Sequence, residues 1–148
     1  MLSKVFPEYS SGFKAITNGI YLERWMNPEL YKLYIDDKLN QEKLYDIRVE
    51  ARSKLEELLS KYKENIEIGD KTVVLWTHRL ARYKRPYFIA RFIEEHPDID
   101  AVFTLGGKHH LRDNDGLNYA RWFRKLHLRL KNVVYIHDCS VENAQVLF

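Results

Sequence analysis

The chain has 148 residues, 45% hydrophobic and 14% aromatic, with a formal net charge of +3 at pH 7. That length can bury a core and predicts one domain, and that apolar content excludes a disordered chain. The mild charge is too weak to announce a nucleic-acid binder on its own, and a single cysteine, Cys139, excludes an intrachain disulfide framework. No apolar run reaches membrane-spanning length, and Met1-Leu2-Ser3-Lys4 opens no signal-peptide pattern. The expectation is a cytoplasmic protein with no membrane or nucleic-acid partner.

Residues 1–70 read as an irregular approach followed by a helical segment. Pro7, Ser10-Ser11-Gly12 and Asn18-Gly19 are turn signals. Asn27-Pro28 predicts a helix start, with Asn27 as N-cap and Pro28 in the first turn, carrying Leu30, Leu33, Tyr34 and Ile35. A longer helix is predicted from Gln41 to Tyr62. Ile47, Ala51, Leu55, Leu58, Leu59 and Tyr62 recur there at three- and four-residue steps with charges between them.

From Lys71 the period changes. Residues 71–148 predict a β-α-β-α-β unit: strand Thr72–Trp76, helix Pro86–Glu95 with Phe88, Ile89 and Phe92 inward, strand Asp100–Leu105, helix Asn118–Leu130 and strand Asn132–His137. Short apolar strands joined by helices imply right-handed crossovers and a parallel sheet. The expected fold is α/β, half of a doubly wound domain preceded by a helical segment. Arg112–Gly116 reads as an exposed turn, Trp122 and Phe123 as core, and Cys139 as a buried, inert thiol.

The most informative stretch runs from Trp76 to Pro86. It places four cations, Arg79, Arg82, Lys84 and Arg85, between the end of a strand and the start of a helix. Open α/β sheets bind ligands at that edge, and a helix amino end favours anions. Arg79 and Lys84 can converge there on one phosphate, Arg as a planar fork and Lys as a point charge. The competing reading is a solvated basic turn.

Arg79-x-x-x-Tyr83-Lys84-Arg85 resembles the phosphate-binding loop of the α-glucan (glycogen/maltodextrin) phosphorylases, which carry Lys-Arg-Ile-His-Glu-Tyr-Lys-Arg there. Other blocks agree in order. Ile16-Thr17-Asn18-Gly19-Ile20 followed by Arg24-Trp25 resembles the family's Thr-Asn-Gly-Val and Arg-Arg-Trp, and Asn27-Pro28-x-Leu30 its Asn-Pro-Gly-Leu. Gly106-Gly107-Lys108 falls where the family has Gly-Gly-Lys-Ala, and Ser140-Val141-x-x-Ala144 near its Val-Ser-x-Ala.

The resemblance implies a Rossmann-like half of the carboxy-terminal domain of a glycosyltransferase-B fold. It also implies roles. Arg79 and Lys84 position the phosphate, Tyr83, Asn18 and Lys108 contact the sugar or its phosphate, and His78 stands where longer members place a lysine near the cofactor phosphate. A neutral imidazole supplies less positive charge than that ammonium. Arg82 replaces the family's glutamate.

The implied activity is retaining phosphorolysis of an α-1,4-glucan to glucose 1-phosphate, with pyridoxal phosphate as cofactor. Family members are several times longer, and their cofactor lysine follows the Val-Ser-x-Ala block. The expectation is therefore an internal fragment, inactive alone and not itself covalently bound to pyridoxal phosphate. Its partners would be phosphate, glucose 1-phosphate, glucan and the remaining enzyme segments. Two alternatives stay open: a non-catalytic sugar-phosphate or anion-binding module, or subunit of a split enzyme, and a nucleotide-sugar glycosyltransferase fragment, since those share the Arg…Lys pair. The Asn-Gly and Gly-Gly-Lys blocks favour the phosphorylase over the last.

Metal sites are not expected. His109-His110 lacks a second ligand pair at zinc spacing, and Asp113-Asn114-Asp115-Gly116 lacks the closing glutamate of a calcium loop. Gly106-Gly107 lacks the spacing of a dinucleotide fingerprint.

Overall fold

The computed structural model describes residues 7–9, 14, 16 and 18–147. The expectations placed on 1–4, on 10–12 and on Thr17 lie outside them. Among the described residues no helix is long and apolar enough to cross a membrane. The fold is a mixed α/β arrangement around a small, open, three-stranded parallel sheet.

The approach holds a 3-10 turn at Pro7–Tyr9 and two short helices, α1 (Leu22–Trp25) and α2 (Pro28–Ile35). Asn27 caps α2 as its side-chain oxygen accepts from the backbone N–H groups of Glu29 (2.9 Å) and Leu30 (3.2 Å). Tyr34 and Ile35, expected on the helix's apolar side, are exposed.

Helix α3 runs Gln41–Ser60, two residues shorter than the periodicity predicts. Its end tightens instead of continuing: Lys61 and Tyr62 donate to the carbonyls of Leu58 and Leu59, three residues back. Arg52 then donates to the carbonyls of Gly69 (2.6 Å) and Lys71 (2.8 Å), and Glu56 accepts from the Ile68 N–H (3.1 Å). These bonds fix where the chain enters the sheet.

Strands β1 (Thr72–Thr77), β2 (Ala101–Gly106) and β3 (Val133–Ile136) lie in the order β1-β2-β3. Thr72 pairs with Ala101 and Phe103 with Val133. Since side chains alternate along a strand, this register sorts them onto two faces. Val74, Trp76, Ala101, Phe103, Leu105, Val133 and Tyr135 share one face. It packs on α4 (Pro86–Glu95) and α5 (Asn114–Arg129) through Ala90, Ile93, Phe123 and Leu126. Val73, Val102, Val134 and Ile136 share the other. It packs on Leu55, Leu58, Leu59 and Tyr62 of the α3 region, and on Leu147 of α6 (Val141–Leu147). Both faces are covered, which is why all of β2 and β3 is buried. Each fully buried aliphatic or phenyl side chain here contributes roughly 1.5–3 kcal/mol.

Three expectations need correction. The stretch 112–116 is not an exposed turn. Asp113 is the N-cap of α5, accepting from the Gly116 N–H at 3.0 Å, and the helix starts four residues before the predicted Asn118. Gly116 is itself buried, because a Cβ there would collide with the Leu80 carbonyl oxygen. Secondly, Phe88 does not point inward, and Phe92 does so only in part, its ring meeting that of the buried Phe103 at 6.1 Å between centroids. Pro86, Ala90 and Ile93 take the buried side of α4, leaving Phe88 58% and Phe92 42% exposed. Thirdly, Cys139 is half-buried, its sulfur 3.8 Å from the Thr77 hydroxyl.

Candidate anion-binding site

The basic loop after β1 is held by backbone and by one apolar side chain. His78 N–H donates to the Gly106 carbonyl (3.1 Å) and Leu80 N–H to the Lys108 carbonyl (3.0 Å), so pairing with β2 continues past both strand ends. Leu80, the aliphatic residue amid the cations, is wholly buried in the core between the sheet, α4 and α5. It anchors a segment whose charges all face water.

The double glycine follows from this close approach. Gly107 has φ of +148°, and a Cβ on it would overlap the His78 carbonyl oxygen; a Cβ on Gly106 would strike the Thr77 side chain. The Gly107 carbonyl is further fixed by the Tyr135 hydroxyl, which donates to it at 3.1 Å. Burial pushes that phenol up to about 12, so it stays protonated. The glycines thus bring Arg79 and Lys108 side by side at the carboxyl ends of β1 and β2.

The two cations open onto a shallow cavity of about 310 Å³, shared with His78, Gly107, Ser140 and Trp25. Its far wall is the start of α6, where the Ser140 hydroxyl accepts from the Asn143 N–H at 3.2 Å. Trp25 arrives from α1, which is tied to α6 by Gln145 donating to the Arg24 carbonyl (2.9 Å).

Lys84 lies elsewhere. The chain makes a 3-10 turn at Arg82–Lys84, and Lys84 borders a separate groove along α4 with Trp76, Arg85 and Phe88. His78 stands between the two cavities. It lines the Arg79 pocket, meets Trp76 edge-on at 5.4 Å, and feels Lys84. Burial, and then the Lys84 charge, hold its pKa below the usual histidine value, so it is neutral at pH 7. Arg85 closes the turn in the left-handed region, φ 54° and ψ 47°, immediately before Pro86.

The structure therefore brings together Arg79, Lys108 and His78, with Lys84 close enough to perturb His78 without lining the same pocket. Tyr83 is 68% exposed and lies under the Lys84 ammonium at 5.3 Å from its ring centre, outside both cavities. Asn18 is exposed and lines neither. Two carboxylates are near: Asp138, held below its usual pKa chiefly by the Tyr62 hydroxyl (2.6 Å) and also by the charges of His137 and Lys108, and Glu142, held below its usual pKa chiefly by a hydrogen bond with the pocket-lining Ser140. Ser140 and helix α6 were not foreseen as pocket walls. The signal available was Ser140 three residues before Asn143, an N-cap pattern on a helix too short to show a period. Among the described residues no group of three or more His, Cys, Asp or Glu side chains could hold a metal ion.

No family model matches the chain, and no curated protein sequence matches it.

Proposed function

We propose that the pocket between Arg79 and Lys108 takes the phosphate group of a sugar phosphate, as part of a retaining α-1,4-glucan phosphorylase with a Rossmann-like, glycosyltransferase-B carboxy-terminal domain. The observation that carries this reading is the glycine-enabled juxtaposition of Arg79 and Lys108 at one strand edge, in a loop whose sequence resembles that family's phosphate loop. Arg79 offers two parallel N–H donors and Lys108 a point charge, while neutral His78 offers one N–H or one lone pair.

In phosphorolysis an oxygen of inorganic phosphate forms the new bond to the anomeric carbon as the glycosidic bond breaks. The departing glucan oxygen takes a proton from phosphate. Negative charge stays on the phosphate while positive charge develops on the sugar. Arg79 and Lys108 would fix the phosphate by a rigid strand edge, and Lys84, on the neighbouring groove, would add to the field. Pyridoxal phosphate, which the resemblance implies, fits here only through its phosphate group. Lys108 is an exposed rim residue and the pocket is shallow, so the geometry offers no enclosed slot for the ring, and no step is routed through it.

The test is an NMR titration with inorganic phosphate and with glucose 1-phosphate. Charge-assisted contacts contribute roughly 1.5–3 kcal/mol at best and less in an open cleft, so millimolar affinity is expected, falling with salt. Arg79→Ala and Lys108→Ala should each weaken binding about tenfold, a loss of about 1.4 kcal/mol. Lys84→Ala should weaken it less, and Arg112→Ala, outside the lining of that pocket, hardly at all. Equal losses for all four would show diffuse attraction to a basic surface and end the assignment.

A further inference from the structure

Helix α5 is charged unlike its neighbours. Along α3 acids and bases are mixed, and Glu50–Lys54 and Glu57–Lys61 pair one turn apart; on α4, Arg91 pairs with Glu95. Helix α5 sets Arg121, Arg124, Lys125 and Arg129 against one carboxylate, Asp115, in its first turn. Among the described residues only Arg129 of the four meets a carboxylate, Glu94 at 3.7 Å. The helix dipole favours a cation in the last turn, which accounts for Arg129. Its effect fades before Arg121 and Arg124.

Those two arginines wall a cleft of about 740 Å³ at the β3 edge of the sheet. Lys61 and Tyr62 face them from the end of α3, Tyr135 and His137 from β3 and the residue after it, and His109 joins from the loop after β2. The aromatic walls brace one another. The His137 ring meets Tyr62 at 6.0 Å and Tyr135 at 6.4 Å, and Tyr135 meets the buried Phe123 at 5.6 Å. The Tyr62 hydroxyl is fixed by Asp138 (2.6 Å) and Asn143 (2.9 Å), and His127 Nδ1 accepts from the Tyr135 N–H (3.2 Å). The cleft is therefore shaped before anything enters it.

Among the described residues no carboxylate lines this cleft, and its imidazoles form no group that could hold a metal ion. The nearby acids are engaged, Asp138 with Tyr62 and Glu57 with Lys61. Burial, then the charges of Lys63, His137 and Arg124, hold the His127 pKa down, so the gathered cations repel one another. An anion would turn that repulsion into attraction. The length of the anion follows from the helix. Residues three apart hold their Cβ atoms about 5–6 Å apart, so one phosphate answers one arginine fork and linked phosphates answer both. Arg121 and Arg124 also border a second hollow, of about 460 Å³, with Lys125. The positive track thus continues out of the cleft along α5.

We propose that this cleft is a second anion site, built for a chain of linked phosphates, either free or as the tail of a nucleotide. Arg121 and Arg124 each present a planar fork to one phosphate, Lys61 adds a point charge from the end of α3, and Lys125 meets the chain as it leaves. The site shares no lining residue with the Arg79 pocket and does not rest on what fills that pocket.

An NMR titration of the chain in metal-free buffer, with orthophosphate, inorganic tripolyphosphate and ATP in turn, tests this. Tripolyphosphate should shift the amides of Ala120, Arg124 and Tyr135 and bind there at least about tenfold tighter than orthophosphate. Arg121→Gln with Arg124→Gln, both at exposed positions, should weaken tripolyphosphate at least about tenfold and leave the orthophosphate shifts at Arg79 and Lys108 unchanged. Arg48→Gln with Lys54→Gln removes the same charge from α3 and should change little. ATP binding tighter than tripolyphosphate would assign a nucleotide, with its base against the aromatic walls; ATP binding no tighter would assign the free phosphate chain. Equal losses from the two double substitutions would reduce the effect to general attraction by a basic protein and overturn the proposal. Equal affinity for orthophosphate and tripolyphosphate at the cleft, or no shift at those three amides, would overturn it as well.

Discussion

Thr104 sits at the centre of β2, wholly buried, between Leu75 and Val134 on the flanking strands, and its hydroxyl has no hydrogen-bond partner. A buried hydroxyl without a partner costs about 1–3 kcal/mol in lost hydration. Valine has nearly the same shape, so Thr104→Val should raise stability by about 1 kcal/mol, read as a higher urea midpoint with an unchanged slope. A lower midpoint would show that the hydroxyl is bonded in solution. At this scale the sequence displayed the cations of the basic loop but not their directions. Arg79 and Lys84 look convergent on spacing. In the fold, Leu80 is drawn into the core and the 3-10 turn carries Lys84 round to the α4 side, away from Arg79. Lys108, singled out by its place after a Gly-Gly turn at a strand's carboxyl end and by the resemblance, is the residue that meets Arg79, because Gly106-Gly107 lets two backbones touch. Such close approach is a tertiary fact, and in the sequence it shows only as a pair of glycines.

The strands and the long helices follow their periodicity to within a few residues because local pattern and tertiary burial agree there. Disagreements cluster where one residue answers to a distant neighbour. Asp113-Asn114-Asp115-Gly116 has the composition of a turn, yet it begins α5: Asp113 supplies the cap, and Gly116 is required by the Leu80 carbonyl rather than by a bend. Asp113→Ala should therefore cost about 1 kcal/mol, the usual value of an N-cap, whereas an exposed turn would lose almost nothing. Thermal melts of the two chains distinguish these, and Asp113→Asn, which keeps the accepting oxygen, should restore most of the loss. Helix α6 was missed for a related reason. Its seven residues are too few to show a period, and it is held from outside, by Asn143 donating to the Tyr62 hydroxyl (2.9 Å) and Gln145 to the Arg24 carbonyl. Phe88 and Phe92 are apolar residues at helical spacing, which reads as core; the apolar arc of α4 is wider than three strands can cover.

At the scale of the whole molecule, the pH dependence of stability should be governed between pH 7 and pH 5 by histidine rather than by carboxylates. His127 joins α5 to β3 through its acceptor nitrogen, so its bonded form is the neutral one. Burial is the largest cause holding its pKa below the ordinary histidine value, followed by the charge of Lys63, with His137 and Arg124 adding to it and a backbone bond with Val133 opposing. No carboxylate is among the groups acting on it. His78 is lowered too, by burial and Lys84. A pKa depressed on folding means that the unfolded chain binds the proton more readily. The stabilisation is then complete above the unfolded value of about 6.5 and is lost as pH falls through the folded value. The carboxylates Asp138 and Glu142 are depressed from lower starting values, so their contributions fail only in stronger acid. Protonating His127 also turns its Nδ1 into a donor facing the Tyr135 N–H, which strips one cap from β3. The melting temperature should therefore fall steadily from pH 7 to pH 5, and light scattering should rise with it as a second strand edge opens. His127→Gln keeps an accepting oxygen but cannot ionise, so it should flatten both curves while melting lower than the parent at pH 7. Parallel decline in parent and variant would place the pH sensitivity elsewhere in the fold.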